Sequence, residues 1–385
     1  MGLGLFRLIL SIWVIDHHFA WSRTYIEPWF TQRFGERHFG YLGIGHVAVI
    51  CFFVLSGYVI TWVLNNKYPL NAAGVKAFLV GRFIRIYPLY WAMLAIIIVA
   101  MAVAVGWNSD LPQLRMDRIV GDLLLVPYGV IGFFHFFNRY AYGMIDVPAW
   151  TLPYDFLFYL LAPWMVTRKR VLVAVIVFEL VYLTILAALG PQPLFSAGDG
   201  RSWHEGYFTS GHSTILAFCI GALGYYYRQI RFSPPALGAA ILALLYMTYA
   251  PFGLTNFYLN QLLVMLVALA LVLGLKQRSK LDNLLGELTY STYLIHVPLL
   301  ESLNWLGAGY GGLLALPLTY LLAFATVRYF EMPLEKRRAD LTRTLLSRPE
   351  ASIHRETLGG SRIVLTALAA LLVASASLNL IRLAL

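Results

Sequence analysis

GIGHVAVICFFVLSGYVITWVL, residues 43–64, runs for 22 positions without one Asp, Glu, Lys or Arg. Coiled as an α-helix at ~1.5 Å per residue, such a run is ~33 Å long, enough to cross the ~30 Å hydrocarbon layer of a bilayer. Comparable runs lie on both sides of it. Read by length and apolarity, the spans fall at 3–21, 43–64, 77–105, 149–167, 171–189, 210–228, 235–251, 257–275, 287–305, 309–331 and 362–384. The expected fold is an all-α polytopic transmembrane helical bundle.

Composition agrees. Of 385 residues, 59% are apolar, 15% aromatic and only 12% charged. A soluble domain carries about 25% charge, so this chain cannot clothe a water-facing surface, and its apolar fraction excludes disorder. Cys51 and Cys219 lie far apart inside apolar runs and read as small core residues, not as a disulfide. The first apolar run is followed by Trp21-Ser22-Arg23-Thr24 and not by a small-residue cleavage site, so no signal peptide is expected.

The net charge of +10 sits between apolar runs and not along one face, which excludes a nucleic-acid reading. It sets orientation instead. With a cytoplasmic amino terminus, the inner connections hold Lys67, Lys76, Arg168-Lys169-Arg170, Arg228, Arg231, Lys276, Arg278, Lys280 and the basic stretch Lys336 to Arg362. The opposite loops near 252–256 and 306–310 hold no Lys or Arg. A further apolar run, 119–137, contains Asp122, Pro127, Gly129, Gly132 and His135. Were it to cross, every later loop would flip and Arg168-Lys169-Arg170 would lie outside. The rule therefore predicts eleven spans, a re-entrant or interfacial 119–137, and an external carboxyl terminus. Two outer segments, 22–42 and 106–148, are long enough to build a substrate site. The stretch 333–361 reads as a cytoplasmic amphipathic segment anchored on anionic lipid.

Ionisable side chains inside spans cost ~2.5–3.5 kcal/mol even on the lenient insertion scale, so each one asks for a purpose. The first span carries Arg7, Asp16, His17 and His18. Arg7 and His18 are eleven positions apart, which puts them about 20° apart on one face and ~16 Å apart along the axis. A snorkelling arginine and an interfacial histidine pair would give the same pattern. The third span opens with Arg82 and Arg85 at i and i+3, two guanidinium forks on one face, suited either to phosphate or to simple positive-inside anchoring. Asp155 lies one turn into the fourth span among aromatics that include Tyr159. A desolvated carboxylate there stays neutral or pairs with a cation such as His18, unless it serves only the helix dipole. His296 with Tyr290, Ser291 and Tyr293 gives the ninth span a polar face, and Glu331 ends the tenth. Ser56 and Gly57 are small residues in mid-span, where a helix or a ligand can approach closely. No metal-ligand spacing and no Gly-rich phosphate loop stand out.

Taken in order, these motifs resemble the acyltransferase 3 family of membrane O-acyltransferases. Arg7 and His18 are similar to its first-span pattern, and Phe52-Phe53-Val54-Leu55-Ser56-Gly57-Tyr58 to its second-span signature. Arg82 and Arg85 match its paired arginines. Trp150-Thr151-Leu152 with Asp155 and Phe158-Tyr159 resembles its tryptophan-to-tyrosine motif, with Asp155 replacing the more usual Glu. Tyr290-Ser291-x-Tyr293-Leu294-Ile295-His296-x-Pro298 and Phe330-Glu331-x-Pro333 are similar to the last two signatures.

The resemblance covers roughly 1–335. It implies a ten-span membrane domain over 1–335, leaving 336–361 as a basic cytoplasmic connector and 362–385 as an additional C-terminal helix. It also implies transfer of an acyl group, usually acetyl, from cytoplasmic acyl-CoA to a hydroxyl of an extracytoplasmic glycan or glycolipid, in a bacterial plasma (inner) membrane. Acetyl-CoA is then the donor substrate, with no tightly bound cofactor and no metal. On this reading Arg82, Arg85 and Arg7 hold the coenzyme phosphates, and Ser56 and Gly57 leave room for its pantetheine arm. His18 is the general base, with Asp155 or Asp16 orienting it. His17, Tyr159, Tyr290, His296 and Glu331 complete the polar site. Direct transfer and an acyl-enzyme relay both fit these residues. A transporter or flippase of a lipid-linked glycan is the alternative, and the absence of an internal repeat weighs against it.

Overall fold

The computed structural model of the chain describes residues 2–19, 32, 44–105, 116–134, 144–189, 210–249, 257–275, 279–307, 314–347 and 361–384. Among them there is no strand. The helices are α1 (Leu3–Phe19), α2 (Ile44–Lys67), α3 (Ala72–Val105), α4 (Met116–Leu124), α5 (Val126–Phe134), α6 (Leu152–Met165) and α7 (Lys169–Ala188). They continue as α8 (Gly211–Tyr226), α9 (Pro234–Tyr249), α10 (Phe257–Gly274), α11 (Lys280–Trp305), α12 (Ala315–Thr326), α13 (Met332–Leu346) and α14 (Ser361–Ala384). A 3₁₀ turn, Val147–Thr151, leads into α6, and a π turn, Val327–Glu331, joins α12 to α13.

Each of the eleven expected segments contains a helix. Four of these helices, α2, α3, α7 and α14, are long and apolar enough to cross a membrane. Their outward faces stay apolar, as Ile96, Val99 and Val103 on α3 and Val177 and Val181 on α7 show. Helices that are hydrophobic all round suit a lipid surround.

Two helices start earlier than apolarity alone suggests, because a polar residue caps each. Asn71 Oδ1 accepts from Gly74 N at 2.9 Å before α3. Ser279 Oγ accepts from Asp282 N at 3.1 Å before α11. The ambiguous run 119–137, described as far as 134, is two nine-residue helices, α4 and α5. They break at Leu125, which sits at φ 59°. Each is ~14 Å long, too short to cross.

The expected boundary at 335 falls inside α13, which runs through it and packs along the start of α3. The first part of the stretch 336–361 is therefore helical, and it packs on α3, with Arg338 and Thr342 close to Gly81. The C-terminal helix α14 packs on α5 and α6 and belongs to the same body.

At the centre stands α2, in contact with α1, α6, α8, α9 and α10. Its approach to α8 depends on two glycines. A Cβ at Gly57 would strike the Phe218 carbonyl of α8, and one at Gly221 would strike the Val54 carbonyl of α2. Small residues let backbones meet this closely where lipid supplies no hydrophobic drive. Across the other face of α2, helices α1 and α11 run parallel. Leu5 N donates to Asp282 Oδ1 at 2.9 Å near their starts.

Candidate active site

The parallel register of α1 and α11 lays out the site. Near their starts Arg7 lies beside Gly286, where an added Cβ would come within 3.3 Å of Nη1. Further along, the His18 ring centre is 5.1 Å from that of His296. Between the two levels α1, α2, α3, α6 and α11 enclose a cavity of about 230 Å³.

Most of the residues singled out by the sequence line this one space: Arg7, Ser56, Arg82, Arg85, Asp155, Tyr159 and Tyr290. Five helices widely separated along the chain converge on it. Arg82 and Arg85 reach it from one face of α3, as their spacing predicts.

The two arginines are held differently. Arg85 Nη1 lies 3.3 Å from Glu331 Oε2. Glu331 also accepts from Ser291 Oγ, so the end of the π turn locks this arginine in place. Arg82 stacks its guanidinium over Phe78, 5.4 Å from the ring centre, and over Tyr159 at 5.8 Å. Its Nε is buried without a hydrogen-bond partner, and so is Asp155 Oδ1. The lining thus carries three guanidinium groups and one carboxylate, Asp155. A buried cation surplus with an unused donor suits an anion.

The walls are fixed by hydroxyls. Tyr290 Oη donates to the Ile86 carbonyl at 2.8 Å, tying α11 to α3. The hydroxyls of Tyr293 and Thr151 share a 2.8 Å hydrogen bond at the cavity wall, tying α11 to the 3₁₀ turn before α6. Tyr293 also neighbours His296, with ring centres 6.2 Å apart, and so links the cavity to the histidines.

Among the described residues four histidines gather here. His17 lies 5.2 Å from His18 and 5.6 Å from His46, ring centre to centre. His296 is fully buried, its Nδ1 3.1 Å from the Thr292 carbonyl and its Nε2 without a hydrogen-bond partner. Among the described residues no group of three or more His, Cys, Asp and Glu side chains is arranged to hold a metal ion.

Several expected placements change. Gly57 faces α8 and not the cavity, because the glycine contact with Phe218 uses up its open side. Asp155 forms no hydrogen bond to His18. It sits in the first turn of α6, aimed into the cavity beside Tyr159. Asp16 is buried but outside the cavity lining. The sequence reading passed over His46, and also Glu179 and His212, which the same cost of ionisable groups in apolar runs would have flagged.

Above this arrangement α13 lays a surface pair, Glu335 and Arg338, hydrogen-bonded to each other. Partial burial pushes the Glu335 carboxyl up, but the hydrogen bond and charge of Arg338, with the fields of Arg85 and Arg82, outweigh it and hold the group below its usual range.

An acyltransferase domain model of the acyltransferase 3 family matches residues 2–329. The chain belongs to this family. The exopolysaccharide production protein ExoZ of Rhizobium meliloti (strain 1021) is 26% identical over 262 residues, covering 66% of this chain and 76% of that protein. The acyltransferase MdmB of Streptomyces mycarofaciens is 29% identical over 167 residues, 41% of this chain and 36% of its own length. The peptidoglycan O-acetyltransferase OatA of Listeria monocytogenes serovar 1/2a is 26% identical over 167 residues, 39% of this chain and 26% of its own length. The match thus takes in three quarters of ExoZ but only about a third of MdmB and a quarter of OatA. No solved structure matches. As an acyltransferase of this family, the chain places α14 entirely beyond the matched residues.

Proposed function

We propose that the protein is a multi-pass O-acyltransferase of the bacterial inner membrane, with ten family-like spans, one added C-terminal span and a cytoplasmic amino terminus. It moves an acyl group, acetyl on this reading, from cytoplasmic acyl-CoA to a hydroxyl of an extracytoplasmic glycan or glycolipid. The observation that carries the proposal is a cavity that gathers Arg7, Arg82 and Arg85 and has in its wall Tyr293, a neighbour of His296, which in turn lies beside His18. Similarity to ExoZ, an exopolysaccharide production protein, and to OatA, a peptidoglycan O-acetyltransferase, supports a saccharide acceptor.

The residues divide the work. Arg7 and Arg82 offer guanidinium groups to the coenzyme phosphates, with Arg85 braced by Glu331. At about 230 Å³ the cavity does not hold a whole coenzyme, so on this reading the phosphates reach in as far as the arginines, the adenosine stays outside, and the pantetheine arm runs on past Ser56. His18 takes the proton from the acceptor hydroxyl as its oxygen attacks the thioester carbonyl. The new C–O bond forms, the C–S bond breaks, and the departing thiolate receives the proton from His18.

The test is transfer of radiolabelled acetyl from acetyl-CoA to a surface-glycan fraction by the purified full chain in lipid nanodiscs. His18→Ala is expected to abolish transfer and His17→Ala to retain most of it. Full activity in His18→Ala overturns the assignment.

A further inference from the structure

His18 needs a partner that presents one of its ring nitrogens as a lone pair toward the acceptor. A general base is held in one tautomer by whatever its other nitrogen bonds to. Asp155, a carboxylate expected in this role, points into the cavity and makes no such bond.

Among the described residues, a buried imidazole from the facing helix α11 lies beside His18. His296 is fully buried, and its ring centre lies 5.1 Å from that of His18. Nε2 of His296 is not hydrogen-bonded to His18 in the structure, but two imidazoles joined by one N–H···N bond of ~2.9 Å also have ring centres ~5 Å apart, so a turn of the His18 ring is enough to form one. The carbonyl of Thr292, 3.1 Å from Nδ1, can only accept, so Nδ1 of His296 carries the hydrogen. Nε2 of the neutral ring is then a lone pair, and it is buried with no hydrogen-bond partner. A buried acceptor left unused costs ~1–3 kcal/mol, which a working role in the cycle explains.

We infer that His296 is the positioning residue for His18: as the acceptor hydroxyl enters, the unused Nε2 takes up the N–H of His18 and holds the other His18 nitrogen as the lone pair that receives the acceptor's proton. The relay runs from the Thr292 carbonyl through His296 to His18. When the hydroxyl proton moves to His18 and the C–O bond forms, the N–H shared with Nε2 spreads the new positive charge over two rings. The same proton leaves with the thiolate, and both imidazoles return neutral. No carboxylate is needed, which fits the placement of Asp155 among the arginines. The inference rests on the acyltransfer reading above.

Two isosteric fragments of the ring test it in the full chain in nanodiscs. His296→Asn places an amide near the Nδ1 position and nothing at Nε2, whereas His296→Gln reaches the Nε2 position with an acceptor. With acetyl-CoA as donor, His296→Asn is expected to lower kcat ~100-fold, within the range of general-base catalysis, and to leave the KM for acetyl-CoA within about twofold. His296→Gln is expected to recover at least ~10-fold of that loss. Equal activity of His296→Asn and the parent overturns the inference, and so does an equal loss in Asn and Gln variants. A parent protein that transfers nothing from acetyl-CoA sinks the acyltransfer reading itself. An active parent with inactive His18→Ala and fully active His296→Asn sinks only the role of His296.

Discussion

His212 and His296 are both buried to within 1% of complete exclusion from solvent, and their nitrogens meet opposite fates. In His212 both are used. Nδ1 lies 2.9 Å from Glu179 Oε2 and Nε2 lies 3.0 Å from Ser375 Oγ. The ring is clamped between Phe133 and Tyr182, at 5.1 and 4.4 Å centre to centre. In His296 one nitrogen is used and the other is open beside His18. The distances in Glu179–His212–Ser375 match those of an acid, base and nucleophile. Yet Ser375 also bonds to the Leu371 carbonyl at 2.5 Å, and all three residues are closed in. What separates the two histidines is completeness of hydrogen bonding, not residue type. A saturated network fastens α14 to α7 and α8; an unsaturated one beside a cavity is available for chemistry.

The largest effect should come from breaking the saturated network on one side. His212→Leu strands the Glu179 carboxyl, a loss of ~1–3 kcal/mol and more if it is charged, whereas the Ser375 hydroxyl keeps the Leu371 carbonyl. Thermal unfolding of the detergent-solubilised protein should fall by many degrees, whereas His296→Asn should leave it nearly unmoved. Replacing the whole set, Glu179→Leu with His212→Leu and Ser375→Ala, should restore much of the loss, because removing all partners together leaves nothing unsatisfied. A His212→Leu protein of parental stability that transfers no acyl group would overturn the comparison.

The arginines repeat the contrast at smaller scale. Arg82 has an unused buried Nε, and Arg85 is engaged with Glu331. Arg82→Gln is therefore expected to weaken acyl-CoA binding ~10-fold or more, the worth of one hydrogen bond to a charged group, with little change in stability. Arg85→Gln is expected to cost stability as well, since it releases a buried carboxylate. Titration with a non-hydrolysable acyl-CoA analogue, beside melting curves, checks both.

Asn379 contributes less. Its Nδ2 donates to the Phe133 carbonyl at 2.9 Å and to Tyr182 Oη at 3.3 Å, adding a second tie between α14 and the rest of the bundle. Asn379→Leu should cost ~1 kcal/mol, read as a modest drop in melting temperature, with unchanged KM for the donor. A loss of transfer without a loss of stability would move α14 from fastening to function.

The arginine and histidine positions were readable in the sequence because charge inside an apolar run stands out against its surroundings. Arg7, Arg82, Arg85 and Asp155 stand out in this way on three different helices, with nothing in the sequence to show that they meet. Their mutual placement was not readable, since it depends on α1 and α11 running in parallel and on the glycine contact between α2 and α8. Gly57 shows the limit: a small residue in mid-span has the same appearance whether a ligand or a helix fills the space. Glu179 and His212 went unremarked because neither belongs to a motif and Ser375, their third member, lies 163 positions from His212. Leu125 at φ 59° was equally silent, as nothing in its side chain announces a left-handed break.

The weakest expected effect belongs to a pair that resembles Glu179–His212 in chemistry and differs in setting. Glu335 and Arg338 are hydrogen-bonded on α13, with side chains 44% and 20% exposed. A carboxyl held below its usual range stabilises the fold above the unfolded value of ~4.3, and that contribution is lost as pH falls through the lower folded value. Solvent screens so exposed a pair, so the whole contribution is ~0.2–1 kcal/mol. A double-mutant cycle of Glu335→Gln and Arg338→Gln should give a coupling in that range, and it should shrink as salt is raised toward ~1 M, where charges are screened within ~3 Å. The coupling between Glu179 and His212 should be insensitive to the same salt, because no ions reach it. A Glu335–Arg338 coupling that is large and salt-insensitive would mean that α13 is part of the closed interior, and that burial alone does not divide the fastening networks of this protein from its surface.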